Sequence, residues 1–242
     1  MKIWAHRGCS QMYPENTITS FRKAAEIPGL EGIELDIQLT NDGHMVVIHD
    51  EKVDRTTNGT GFVRDYSLKE LQALKIDSVN GEFERIPTIN EVLDLLGPYM
   101  RKGLKLNIEL KTSVYPYIGI EKQIVELVKE RGLKDSIVWS SFSALSLPII
   151  RELLPDADIG MLCDRVSDCM RIHKAGIGSN ALHPYARMMD LTKEQLEGMT
   201  VRAWFLKHLY PEKPTGTRLD FKALEAQGIT DVFLNEPEVY LR

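Results

Sequence analysis

The chain has 242 residues, 43% hydrophobic and 27% charged, an ordinary composition for a globular protein of one large domain or two small ones. Its net charge of -5 and pI near 5.7 argue against a general nucleic-acid binder, which would carry a basic surface. An anionic ligand would therefore have to be met by local positive charge, and no stretch approaches the roughly 20 apolar residues that span a bilayer.

Along the chain, short apolar runs rich in branched residues alternate with amphipathic segments. Strands are predicted over 2–6, 33–39, 104–110, 137–140, 158–162, 181–183, 201–205 and 231–234. Helices are predicted over 18–25, 120–131, 144–153, 167–174, 193–197 and 220–226. Gly132, Gly176 and Gly228 fall where helix ends need a left-handed residue. Alternation of strand and helix implies parallel strands with right-handed crossovers. Eight such strands predict an α/β fold of the (β/α)₈ TIM-barrel type, which takes about 250 residues.

Residues 41–103 break the rhythm. They hold a turn at Asn41-Asp42-Gly43, a polar segment at 54–61, a short helix near 68–74 and a helix near 89–96. The last, capped by Thr88 or Asn90, reads as a barrel helix. About 44–86 reads as a small insertion on the catalytic face, after the second strand, within one domain spanning 1–242. The cysteines Cys9, Cys163 and Cys169 are odd in number, without metal-ligand spacing, and fit a reducing compartment. No apolar run follows Met1-Lys2 as in a signal peptide, so the expected location is cytoplasmic.

Residues two apart on a strand share a face. Glu34 and Asp36 therefore project together, opposite Ile33, Leu35 and Ile37; Glu109 and Lys111 pair likewise. Both pairs lie near strand C-terminal ends, where barrel active sites are built. Three gathered carboxylates would raise one another's pKa, and a divalent cation removes that conflict. Ligation by oxygen alone points to Mg²⁺ or Ca²⁺. His6 and His49 end apolar runs, and two histidines flanking a metal and an arginine suit acid–base work better than plain structural hydrogen bonds. Arg7 offers a planar donor fork for phosphate oxygens, and Lys111 a point charge or simply an ion pair with Glu109. Asn16 or Thr17 caps the first helix, and Glu15 is read as structural beside them. Phe142 and Trp204 fall at strand ends as a pocket wall, with Lys207 adding charge nearby. His44, His173, His183 and His208 are read as structural or exposed, His183 lying nearest the pocket.

The ordered stretches IWAHRG, YPENTITSF, GIELDIQLTNDGHMVVIHD and LNIELK resemble the glycerophosphodiester phosphodiesterase family. Weaker echoes at Ser141-Phe142, Leu182-His183-Pro184 and Asn235-Glu236-Pro237 extend the resemblance over nearly the whole chain. It implies metal-dependent hydrolysis of a small glycerophosphodiester to sn-glycerol 3-phosphate and an alcohol. Glu34, Asp36 and Glu109 would hold the cation, Arg7 and Lys111 would meet the phosphate, and one of His6 and His49 would be base and the other, preferably His49, acid. The family's seventh strand tends to end in a Trp-Thr-Val-Asn-like run, which here reads Trp204-Phe205-Leu206-Lys207. That departure leaves the preferred alcohol open: Lys207 either disfavours a choline head or points to solvent and changes nothing. One rival is a related barrel phospholipase acting on lysophospholipids or phosphosphingolipids, which an exposed apolar loop would favour; the sequence offers no evident one. The other is a non-catalytic phosphodiester-binding barrel, against which the two histidines and three acids weigh.

Overall fold

The strands are β1 (Lys2–His6), β2 (Gly32–Leu39), β3 (Met45–Val47), β4 (Ile76–Asp77), β5 (Phe83–Glu84), β6 (Lys105–Leu110), β7 (Ile137–Ser141), β8 (Asp158–Cys163), β9 (Ala181–Pro184), β10 (Thr200–Ala203) and β11 (Asp231–Leu234). In this computed structural model, which describes residues 1–78, 81–205 and 218–241, the strands β1, β2 and β6 to β11 are parallel and close into a ring. β1 completes it by pairing with β11, Trp4 opposite Phe233. This is the (β/α)₈ barrel the alternation predicts.

Each barrel strand is buried on both faces but for different reasons. Ile3, Ala5, Ile33, Leu35, Ile37, Leu106, Ile108 and Leu110 join one apolar cluster with the surrounding helices. The opposite set fills the barrel, where Trp4, Val138 and Phe233 form a separate small core with Trp204 against it. Two glycines make room: a Cβ on Gly32 would stand 2.4 Å from the Trp4 ring, and one on Gly160 would stand 2.0 Å from the His183 ring. Below, Arg202 holds Asp158 through two hydrogen bonds of 3.0 and 2.6 Å, and Trp4 Nε1 donates to Asp231 at 2.9 Å. The buried Arg202 and Asp231 are thus partnered, as burial requires, and with Asp158 they close the end of the barrel away from the site.

The helices are α1 (Ile18–Ala25), α2 (Leu68–Ala73), α3 (Ile89–Met100), α4 (Ile120–Glu130), α5 (Ser146–Leu153), α6 (Val166–Ile172) and α7 (Phe221–Ala226). Capping boxes at Thr17/Ser20, Ser67/Glu70 and Thr88/Glu91 start the first three. α3 outruns its predicted end at 96 and carries Pro98 in its last turn, where the ring forfeits one i→i−4 bond; beyond it Arg101 N–H still donates to Gly97. The predicted helix at 193–197 is a single 3₁₀ turn, Glu194–Leu196, too short to nucleate an α-helix. α6 ends at Ile172, and the turn that follows breaks from helical geometry at Gly176, φ 106°, where 167–174 reads as plain helix.

Between β2 and α3 the chain leaves the barrel. β3 lies antiparallel on β2, Val47 opposite Ile37, and the following residues gather a second small core of Val46, Ile48, Val53, Val63, Leu71, Ile76 and Ile86. Among the described residues no helix is long and apolar enough to cross a membrane.

Candidate active site

β2 and the C-terminal half of β6 bring Glu34, Asp36 and Glu109 together, all buried, with one carboxylate oxygen from each lying within 4.8 Å of the others. The register places Asp36 directly opposite Glu109. Two cations answer the three charges. Lys111 Nζ lies 2.9 Å from Glu109 Oε1 and 3.9 Å from Asp36 Oδ1. Arg7 Nε lies 3.4 Å from Asp36 Oδ2. One formal negative charge is left over. Its effect is on Glu34, where burial and then the Asp36 charge push the carboxyl well above its ordinary range. Burial works the same way on Asp36 but is outweighed by His49, Arg7, Lys111 and the Asn16 hydrogen bond, which hold it ionised. Glu34 Oε1 and Asp36 Oδ1 are buried and accept no hydrogen bond. Two orphaned carboxylate oxygens in an all-oxygen cluster with excess negative charge fit a hard divalent cation.

Arg7 sits at φ 55°, in the left-handed region, in the turn after β1. Its amide donates to Glu34 Oε2 at 3.0 Å, and its Nη1 donates to Glu15 at 2.9 Å. Burial opposes its charge, but Asp36, Glu15 and Glu34 outweigh burial and keep it protonated. His6 Nδ1 meets Asn235 Oδ1 at 2.8 Å, so Nδ1 donates the hydrogen and Nε2 keeps its lone pair. That Nε2 lies 3.7 Å from Glu34 Oε2. Burial, then the neighbouring Arg7 charge, lowers the His6 pKa to about 3 and leaves the ring neutral. His49 is different. It is partly exposed, and its Nδ1 lies 2.6 Å from Asp50 Oδ1. Asp50 in turn accepts from Arg55, and Arg55 makes two 2.7 Å hydrogen bonds to Glu15. A chain of hydrogen bonds and ion pairs thus runs His49, Asp50, Arg55, Glu15, Arg7 and ties the insertion to the barrel.

His6, Arg7, Glu34, His49 and Glu109 line one pocket of about 200 Å³ with Asn107, Ser140, Phe142, Leu162, His183, Trp204 and Phe233. Drug-sized ligands take about 300–1,000 Å³, so this space suits a small polar ester. A larger hollow of about 520 Å³, lined by Gln11, Met12, Arg55, Asn58 and Lys75 among others, contains none of the three clustered acids or the histidines. Phe142 and Trp204 meet edge to face at 6.0 Å and form one wall. Lys111 stands behind the acids and is not part of the lining. Lys207 lies outside the described residues.

Three residues at the site, Glu15, Asn16 and Asn235, have roles the sequence did not suggest, and a fourth, His183, is the histidine the sequence put nearest the pocket. Glu15 is an ion-pair partner of Arg7 rather than a structural neighbour of the cap. Thr17 is the cap, whereas Asn16, at φ 56°, donates to Asp36 at 2.9 Å. Asn235, 229 positions from His6, fixes its tautomer. His183 is fully buried and lines the pocket.

A model of the glycerophosphoryl diester phosphodiesterase family matches residues 6–184. The glycerophosphodiester phosphodiesterase of Caldanaerobacter subterraneus subsp. tengcongensis is 38% identical over 245 residues, covering 99% of this chain and 96% of its own. A relative of the same name in Bacillus altitudinis is 38% identical over 203 residues, covering 82% and 81%. Among solved structures, a phosphodiesterase of Oleispira antarctica in complex with the product sn-glycerol-3-phosphate superposes with a TM-score of 0.78 at 26% identity, covering 99% of this chain and 94% of that one. A family model spanning the barrel from its first histidine to the end of β9, together with two relatives at this identity, leaves one conclusion: the chain belongs to the glycerophosphoryl diester phosphodiesterase family.

Proposed function

We propose that this protein hydrolyses small glycerophosphodiesters to sn-glycerol 3-phosphate and an alcohol, using Mg²⁺ or Ca²⁺ held by Glu34, Asp36 and Glu109. The observation that carries the reading is the buried triad, orphaned at two oxygens, of which Glu34 and Glu109 line the same pocket as His6, Arg7 and His49 while Asp36 lies behind them. The Oleispira antarctica relative holds sn-glycerol-3-phosphate, which supports that half as the common product. A bound divalent cation would supply Lewis-acid polarisation of a phosphate oxygen.

The residues then divide the work. Neutral His6, with Nε2 free, accepts the proton of the attacking hydroxyl, and Glu34 beside it steadies the resulting charge. His49, held through Nδ1 by Asp50, gives a proton to the departing alkoxide. Arg7, anchored by Glu15, faces the charge that develops on the phosphate; Lys111 balances Glu109 and Asp36. Phe142 and Trp204 flank the alcohol half loosely, which suits several alcohols. We read residues 1–242 as one catalytic domain with an insertion at about 44–86, working in the cytoplasm, where three free cysteines persist.

The test is incubation with glycerophosphocholine and Mg²⁺ or Ca²⁺, followed by phosphorus NMR. Glycerol 3-phosphate with free choline is expected; phosphocholine with glycerol would end the assignment. A second reading has one observation behind it. Ile118 and Leu145, on the neighbouring loops after β6 and β7, are 87% and 80% exposed. Such residues favour a lysophospholipid, and faster turnover of lysophosphatidylcholine than of glycerophosphocholine would select that reading.

A further inference from the structure

His49 reaches the pocket on a stretch of chain that belongs to no strand. β3 stops at Val47, and the last barrel bond to the segment is Ile48 N–H donating to Asp36 at 3.1 Å. From there Gln38 takes over. It follows Glu34 and Asp36 on the same face of β2 and is fully buried. Its Nε2 lies 3.0, 3.1 and 2.8 Å from the carbonyl oxygens of Ile48, His49 and Asp50. An amide nitrogen carries two hydrogens, so three acceptors share them and the backbone curls around a single point. The amide is itself prevented from turning over, because the Tyr117 hydroxyl donates to Gln38 Oε1 at 2.8 Å. Tyr117 lies on the loop between β6 and α4 at φ 36°, a conformation costly to a residue with a side chain. Three separate pieces, β2, the β6–α4 loop and the insertion, therefore meet at one amide.

We propose that Gln38 and Tyr117 are positioning residues for the reaction, fixing the backbone at His49 so that its ring and its Asp50 partner are aimed at the departing alcohol. The proposal rests on His49 acting as the acid. A merely structural glutamine would satisfy three carbonyls and affect stability alone. Positioning of an acid has a different signature: it matters for a poor leaving group and not for a good one.

The experiment compares kcat for glycerophosphocholine and for the nitrophenyl diester of glycerol 3-phosphate in Tyr117→Phe, Gln38→Met and His49→Ala, with Tyr115→Phe as control. Tyr117→Phe should lower kcat on the choline ester about 2- to 10-fold, the worth of one hydrogen bond. Its KM and its nitrophenyl rate should stay unchanged. Gln38→Met, losing every donor to the segment, should lose about tenfold or more with the same selectivity. Melting temperatures are taken in parallel; should Gln38→Met fail to fold, Tyr117→Phe decides. Selective loss in His49→Ala but not in Tyr117→Phe and any folded Gln38→Met overturns the clasp alone. Equal loss on both substrates in His49→Ala removes the acid role, and the proposal with it.

Discussion

Asn235 is the most telling residue to change, because its side-chain hydrogen bond to His6 decides how the proposed base is protonated. His6 is buried, its Nδ1 hydrogen is taken by Asn235 Oδ1 at 2.8 Å, and its pKa is lowered to about 3. Asn235→Leu removes the acceptor and leaves a buried N–H without a partner. That costs about 1–3 kcal/mol, equivalent to about 5- to 160-fold if it falls on the transition state. kcat on glycerophosphocholine should drop by that range, because the ring can then turn or shift its proton to Nε2. Asn235→Asp makes a different and sharper test. A carboxylate at hydrogen-bond distance favours the imidazolium and raises the His6 pKa from its lowered position. A base must be unprotonated, so activity should be lost on the acid side and kept on the alkaline side. Profiles of kcat/KM from pH 4 to 9 at saturating cation should show a new acid limb in Asn235→Asp. Wild-type kcat in a folded Asn235→Leu, together with an unshifted profile in Asn235→Asp, would refute the role of His6 as base.

Three further outcomes follow from the same geometry. Glu34 has a folded-state pKa raised above its unfolded value, first by burial and then by Asp36. Cation-free protein therefore loses stability as pH rises through that raised value. Glu34→Gln should resist urea at pH 8 in chelator better than the parent while losing cation affinity; lower stability would contradict the crowding of charge at the triad. His49→Ala should lower kcat on glycerophosphocholine about 10²–10⁴-fold, whereas His173→Ala, outside the pocket lining, should leave it unchanged. Gly160→Ala forces a methyl against the buried His183 ring at 2.0 Å; calorimetry should show a loss of about 1–3 kcal/mol, and an unchanged melting temperature would mean the ring has room to move.

The barrel and the triad were legible because both depend on short-range periodicity. Two-residue spacing along β2 and β6 was enough to put Glu34, Asp36 and Glu109 in one place. The same spacing carries a further signal: Gln38 continues the inward face of β2, and Asn107 precedes Glu109 on that of β6. The contacts of Asn235 and His183 depend on how the ring closes, β11 against β1 and β9 beside β8, and local pattern does not encode closure. Glu15 read as part of a helix start because its neighbours do cap α1. Only the insertion, folding back over the barrel mouth, supplies the Arg55 that draws Glu15 into the site. The exposed Ile118 and Leu145 were missed for another reason: single apolar residues at the edges of loops do not stand out from helix starts in a sequence.

The cation is the point on which everything else turns, and a single add-back measurement addresses it. Protein stripped exhaustively with chelator is assayed on glycerophosphocholine as Mg²⁺ or Ca²⁺ is returned, alongside Asp36→Asn treated identically. Turnover should vanish on stripping, return in the parent with one or both ions, and remain absent in Asp36→Asn. Undiminished release of glycerol 3-phosphate by the stripped parent would show that Glu34, Asp36 and Glu109 serve some purpose other than holding a catalytic metal.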